Sequence, residues 1–291
     1  GLKNLSFMIS SFLKTKFNKD YDIVHAHNIS SALAMKNIKG KKILSIHGIF
    51  SNQINDLHGK TLASISSKYE KNALKWADAI TVISKEAFDH YTNLGYNVFQ
   101  VPNAIDISSL ETNVDKRYSK QIIFAGRLSH EKGIDSLISI SQKLTDDIHL
   151  IILGAGPEEE KIKDLVKNHK NIHFFGYQNK NQTISLIRGS DILIHPSLHE
   201  GISSTILEAM ACKTAIIASD VGGNRELIEN NQNGITIESH NIDSFVEQII
   251  NLFDNEQLRQ LLVDNALKTI EKYNWNEIGN LYLDVYQSIL D

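Results

Sequence analysis

Residues 192–218 read ILIHPSLHEGISSTILEAMACKTAIIA. Ile192–Ile194 is a short continuous apolar run, as a strand buried on both faces requires. A helix opens at Ser203 and runs to Ala211, with Ser203 and Ser204 as good N-cap types. A second apolar run follows at Ala215–Ala218. The same alternation extends in both directions. Candidate strands lie at Ile23–Ala26, Lys42–Ile46, Ala79–Ile83, Asn97–Val101, Gln121–Ala125, His149–Leu153, Ile172–Phe175 and Gly234–Ile237. Helical patterns lie between most of them, at Gly59–Ala77, Lys85–Leu94, Gly133–Leu144, Pro157–Asn168 and Asn179–Arg188. Strands alternating with helices predict parallel sheets covered on both faces, the α/β doubly wound class.

A length of 291 residues fits two domains of roughly 150 residues each. The composition changes at Asn103–Lys120, a polar stretch after Pro102 with little periodicity. It predicts a first domain over 1–104, a linker over 105–118 and a second domain over 119–272. The last segment, WNEIGNLYLDVYQSIL, is a helix with Trp275, Ile278, Leu281, Tyr282, Val285 and Ile289 on one broad face. That face needs a partner, and the first domain is the candidate for residues 274–291.

At the other end, GLKNLSFMISSFLKTKF is amphipathic, with Leu2, Leu5, Met8, Ile9, Phe12 and Leu13 apolar and Lys14, Lys16 and Lys19 following. It reads as a core-facing helix over Leu2–Phe17, with a membrane-surface helix as the alternative.

The net charge of −4 and pI near 6.3 exclude a strongly basic chain of the kind that neutralises many phosphates, so nucleic acid is not an expected partner. The single cysteine, Cys212, rules out an intrachain disulfide and reads as a small buried residue. No apolar run reaches the ~20 residues that span a bilayer. The expected location is cytoplasmic, with peripheral attachment to the inner face of the membrane as an option.

Glu200 precedes the helix that opens at Ser203, and Glu208 lies eight positions further on. At about 1.5 Å per residue they stand on the order of 12 Å apart, too far for an acid/base dyad on one bond but suited to gripping two parts of an extended ligand. The free amides of that helix end form a natural anion site. Arg127 and Lys132 lie in the turn after Gln121–Ala125, and two cations outside the carboxyl end of such a strand suit a diphosphate. Ion pairing of Lys132 with the neighbouring Glu131 is the plainer alternative. Gly154 and Gly156 follow the next strand and read as a tight turn beside the ligand. His25, His27 and His47 cluster at two strand ends. They raise the possibility of a metal site, which would need a convincing third and fourth ligand beside the His25–His27 pair. They read instead as hydrogen-bonding groups, with His25 semi-buried.

The ordered set GRLSHEKGID, LGAGPE, FFGYQ and PSLHEGISSTILEAMACKTAIIASDVGGNRELI resembles the nucleotide-binding half of retaining GT-B glycosyltransferases. More narrowly it resembles the large sugar-nucleotide-dependent family with the Glu–seven residues–Glu motif, glycosyltransferase family 4. DIVHAHN, SIHG, ADAITVIS and VPNAID resemble its first-domain and linker segments.

The resemblance implies two Rossmann-like domains facing a cleft and transfer of a sugar from a nucleoside diphosphate sugar to an acceptor hydroxyl. It assigns Arg127 and Lys132 to the donor diphosphate, Glu200 to hydroxyls of the donor sugar and Glu208 to the ribose. Gly176 and Tyr177 would line the base pocket. Gly154, Gly201, Ser203, Ser204 and Thr205 would complete the donor site. His47 would approach the transferred sugar, and His27, His47 and Gly48 would stand on the acceptor side. His47, Arg127, Lys132 and Glu200 are thus the catalytic candidates. No bound cofactor or metal is implied.

The family begins with a strand and a glycine-rich loop, whereas only a helix precedes DIVHAH here. The first domain is therefore expected to be incomplete at its N-terminal side, with a partner chain or a second copy as a way to complete it. The expected partners are a nucleotide-sugar donor and a glycan or lipid-linked acceptor. A sugar-nucleotide-binding subunit that needs a partner, or a GT-B sugar-nucleotide epimerase, are the alternatives.

Overall fold

The structure, a computed structural model, describes residues 2–15, 20–36, 38–48, 60–110 and 113–291. Lys16, Phe17, Lys19 and Gly59, placed by the sequence in or beside helices, lie outside the described residues. The chain forms two compact units, Gly1–Pro102 with Asn276–Asp291, and Asn103–Trp275.

The first unit carries strands β1 (Asp20–Ala26), β2 (Lys39–Ile46), β3 (Ala79–Val82) and β4 (Val98–Gln100), in that order and all parallel. The second carries β5 (Lys120–Ala125), β6 (Ile148–Leu153), β7 (Ile172–Gly176), β8 (Ile192–His195), β9 (Ala215–Ser219) and β10 (Ile235–Ile237). Its parallel sheet has the order β10-β9-β8-β5-β6-β7. Among the described residues, all ten strands stand where the apolar runs place them.

The second sheet winds outward from β5 through β6 to β7. The chain then returns to the other side of β5 for β8 and winds outward again. The direction reverses between β5 and β8, and such a switch point leaves a crevice beyond the carboxyl ends of the two strands. Gln121–Ala125 of β5 and all of β8 and β9 are buried, which is why they read as unbroken apolar runs. Ile122, Phe124, Ile152, Ile194 and Ile217 meet Leu137, Ile140, Phe245 and Ile249 from the covering helices. Two of those helices, Ile242–Asp254 and Glu256–Ile270, are not among the sequence expectations. They abut at Asn255, whose side chain accepts the Leu258 amide as an N-cap, so no glycine or proline marks the boundary.

The polar stretch after Pro102 packs within the second unit. The Ile105 amide donates to the Tyr273 carbonyl and the Asp115 amide to the Ser185 carbonyl. The buried Gln121 side chain accepts the Arg117 amide at 2.8 Å.

In the first unit, the helix Trp275–Leu290 buries Ile278, Val285 and Ile289. This stripe is narrower than the sequence face, for Trp275 is 57% exposed and Leu281 39% exposed. Tyr286 joins it instead. Its hydroxyl lies 2.9 Å from His25 Nδ1 on β1, while His25 Nε2 lies 2.7 Å from Ser45 Oγ on β2. Ser45 in turn reaches Thr81 on β3 at 2.5 Å. A polar chain thus ties this helix across three strands. The first helix, Leu2–Thr15, half-buries Met8 and Phe12, and Thr15 donates to the Ala34 carbonyl at 2.9 Å. Phe7, Ile9 and Leu13 remain exposed. Among the described residues, no helix is long and apolar enough to cross a membrane.

Candidate functional site

Three loops of the second unit meet beyond the carboxyl ends of β5 and β8. The first, after β5, carries Arg127 and ends in a short turn, His130–Lys132, closed by Gly133. Gly133 adopts φ +69°, and a Cβ there would run into the Pro196 carbonyl. The absent side chain lets this turn lie directly on the second loop, which follows β8. The Leu198 amide then donates to the Glu131 carbonyl at 2.9 Å. The third loop, after β9, presents Gly222 and Gly223 to the backbone of Glu200 and Gly201, and the Gly223 amide donates to the Glu200 carbonyl at 3.0 Å. Glu200 is therefore gripped by its backbone from one side and by its side chain from the other.

The Glu200 side chain is 8% exposed. Its Oε1 accepts from Lys132 Nζ, from His195 Nε2 at 2.7 Å and from Ser197 Oγ at 2.9 Å. Burial alone would push the carboxyl up. The His195 hydrogen bond and then Lys132 outweigh it and bring the group down to about 2. Lys132 thus pairs with Glu200 rather than with its neighbour Glu131, whose carboxylate accepts from Ser129 Oγ at 2.6 Å.

The helix Ser204–Ala211 opens on the same crevice. Ser203 is its N-cap, accepting the Ile206 amide through Oγ, and the Ser203 carbonyl accepts the Leu207 amide. A helix start leaves its first amides without intrahelical partners, and the cap takes only that of Ile206, so those of Ser204 and Thr205 open on the crevice. Glu208 lies two turns from Glu200, with a side chain 13% exposed, and is ion-paired with Lys180. Gly154 follows β6, and its amide donates to the carbonyl of Gly176 at the end of β7. The next residue, Tyr177, is 79% exposed. Arg127 is exposed in the first loop.

The crevice therefore brings together Lys132, Glu200, Gly201, Ser203, Ser204 and Thr205, with Glu208 further along the helix. His195, Ser197 and Lys180 belong to the same constellation and were not singled out from the sequence. His195 is the residue after the apolar run Ile192–Ile194, and its place at a strand end beside a proline was the available signal.

In the first unit, His27 follows β1, and His47 and Gly48 follow β2. His25 stacks on His27, with ring centroids 4.2 Å apart. Burial, then the neighbouring His27 and His47, hold His25 down at about 4. Burial and then His27 also lower His47. Among the described residues, no group of three or more His, Cys, Asp or Glu is disposed to hold a metal ion. Cys212 is buried, and its thiol is pushed up to about 12 by burial.

Two α/β units in one chain, each built on a parallel sheet, have the architecture of the GT-B fold. The sequence comparisons agree. Residues 111–269 match the family described as "Glycosyl transferases group 1", and residues 2–109 match "Glycosyltransferase Family 4". The chain belongs to the group 1 glycosyltransferase family and is a glycosyltransferase.

It is 27% identical over 270 residues to "Uncharacterized glycosyltransferase MJ1069" of Methanocaldococcus jannaschii, covering 87% of this chain and 67% of that protein. It is 23% identical over 292 residues to the phosphatidyl-myo-inositol mannosyltransferase of Mycolicibacterium smegmatis, covering 93% and 72%. Among solved structures, sucrose-phosphate synthase from Thermosynechococcus elongatus superposes with a TM-score of 0.83 at 18% identity, covering 97% of this chain and 78% of that one. Anabaena Alr3699/HepE, solved in complex with UDP, gives 0.77 at 16% identity, covering 98% and 82%.

Proposed function

We propose that this glycosyltransferase moves a sugar, with retention of anomeric configuration, from a nucleoside diphosphate sugar to a hydroxyl of a glycan or lipid-linked acceptor. The observation that carries the reading is the convergence of a cation, a buried carboxylate and an open helix N-terminus at the switch point of the second unit. Lys132 and the Ser204 and Thr205 amides suit a diphosphate whose charge grows as the glycosidic bond breaks. Arg127 stands in the same loop and adds a second cation. Glu208 is read as accepting from the ribose hydroxyls and Glu200 from hydroxyls of the donor sugar. Gly176 and Tyr177 are read as lining the base pocket, with Gly154 and Gly201 supplying backbone close to the donor.

His27, His47 and Gly48 are assigned to the acceptor side. No carboxylate is placed as a nucleophile, so catalysis rests on leaving-group stabilisation and positioning. No metal enters this reading. The names of similar proteins support its outline. Alr3699/HepE is solved with UDP and with UDP-glucose, and the mycobacterial relative is named for a phosphatidyl-inositol acceptor.

The test is a transfer assay with uridine, guanosine and adenosine diphosphate sugars against hydroxyl and lipid acceptors, with the product anomer read by NMR. Product carrying the donor's anomeric configuration is expected. An inverted product, or epimerised donor without transfer, overturns the reading.

A further inference from the structure

Resting on that reading of Glu200, we infer that His195 is a positioning residue that fixes the Glu200 carboxylate by its Oε1, so that Oε2 is presented to the donor sugar. His195 ends β8, and its side chain is 2% exposed. Its Nε2 lies 2.7 Å from Glu200 Oε1, and also 3.2 Å from Ser197 Oγ and 3.3 Å from Ser203 Oγ. Its Nδ1 is buried without a hydrogen-bond partner. A ring proton on Nδ1 would find no acceptor, whereas one on Nε2 meets the carboxylate. The imidazole therefore donates from Nε2, and the Glu200 carboxylate is the nearest of its partners there.

All three hydrogen bonds of the Glu200 carboxylate converge on Oε1. Oε2 is not among the buried side-chain atoms that lack a partner. The three donors differ in what they can do when a donor substrate arrives. Lys132 sits on a flexible stem, is 25% exposed and is the cation assigned to the diphosphate. Once it turns to that ligand, Glu200 would lose its charged partner. Ser197 is a single hydroxyl on the loop. His195 is set in the sheet itself, with a buried aromatic ring that has no room to turn away. It is the donor that keeps the carboxylate aimed through the catalytic cycle. His195 contacts neither Glu208 nor Tyr177, and its approach to the helix cap at Ser203 Oγ is longer than its bond to Glu200, so its influence falls mainly on the sugar step.

The test compares His195→Ala and His195→Gln with the wild-type chain. A glutamine amide can place an N–H close to where Nε2 stands. His195→Ala is expected to lower kcat roughly ten- to hundred-fold, the range for loss of one hydrogen bond to a charged group, with the Kd for bare nucleoside diphosphate changed by less than about threefold. His195→Gln is expected to restore most of that rate. In the pair His195→Ala with Glu200→Gln, the losses should not add, because both remove the same interaction.

Weakened nucleotide binding in parallel with the rate, no rescue by glutamine, or additive losses would each overturn the proposal. If wild type transfers no sugar, the functional reading fails by itself. The positioning claim is then read from the Glu200 side-chain carboxyl by 13C NMR. That group should titrate near 2 in wild type, where His195 lowers it by its hydrogen bond and by its charge, and move upward in His195→Ala and by less in His195→Gln. An unmoved titration in His195→Ala would contradict it, as would a loss of fold in His195→Ala paired with a rise to the ordinary carboxylate range in a folded His195→Gln.

Discussion

Lys132 and Arg127 sit five residues apart in one loop, yet the fold holds them differently. Lys132 is ion-paired with a buried carboxylate, whereas Arg127 is exposed. Lys132→Ala should lower kcat by roughly 10²-fold or more, the order for removing a donor to developing charge. It should also lower Tm, because Glu200 keeps its burial and loses its charged partner. Arg127→Ala should lower kcat with Tm unchanged. Steady-state kinetics beside thermal melts separate the two, and equal Tm losses would show that the Lys132–Glu200 pair does not stabilise the fold. Glu200, Glu208, Lys132 and Arg127 could be singled out because the fold rules place ligands at strand ends and because Glu200 precedes, and Glu208 lies within, a capped helix. What a side chain pairs with was not legible. Glu131 is adjacent to Lys132 in sequence, but Glu200 is brought to it by the meeting of two loops. Lys180 reaches Glu208 from another helix, a contact no local spacing encodes.

Among the connecting elements, the turn at Gly133 and the loop at Gly222 have no room for a side chain. Gly133→Ala would force a Cβ into the Pro196 carbonyl at a φ that L residues rarely adopt. A loss of about 2 kcal/mol or more is expected, because strain of about 1–3 kcal/mol is compounded by the clash. Transfer should fall with it, since Lys132 is the residue before the turn. A variant with wild-type Tm would show that the two loops part easily. The strands were readable as apolar runs, and the helices between them from their period. The helix pair joined at Asn255 was not, because one capped asparagine separates two amphipathic runs with no breaker between them. The stripe on the final helix was drawn too wide, for burial there follows Ile278, Val285 and Ile289.

The surroundings of His25 and of Glu200 should respond differently to acid. His25 is held at about 4 in the fold against an ordinary value of 6.5. The unfolded chain therefore binds this proton first, and the contribution is present above pH 6.5 and lost as pH falls towards 4. Glu200 is held at about 2 against 4.5. Its contribution is present above pH 4.5 and lost only as pH falls towards 2. Hydrogen exchange read by segment should show β1 and the helix Trp275–Leu290 loosening between pH 6.5 and 4, with the β5–β8 loops still protected. Simultaneous loosening of both would contradict the assignment of these groups. The two parallel sheets were legible as a whole, because buried parallel strands leave an apolar signature that local charge does not mask.

The central claim is that the second unit binds a nucleoside diphosphate at its switch point, with Glu208 at the ribose and Glu200 at the sugar. Isothermal titration of the bare nucleoside diphosphate of the active donor into wild type, Glu208→Gln and Glu200→Gln tests it most directly. Glu208→Gln should weaken binding roughly tenfold or more, the order for one hydrogen bond to a charged group, and Glu200→Gln should leave it nearly unchanged. Equal effects of the two substitutions, or none from Glu208→Gln, would contradict the account.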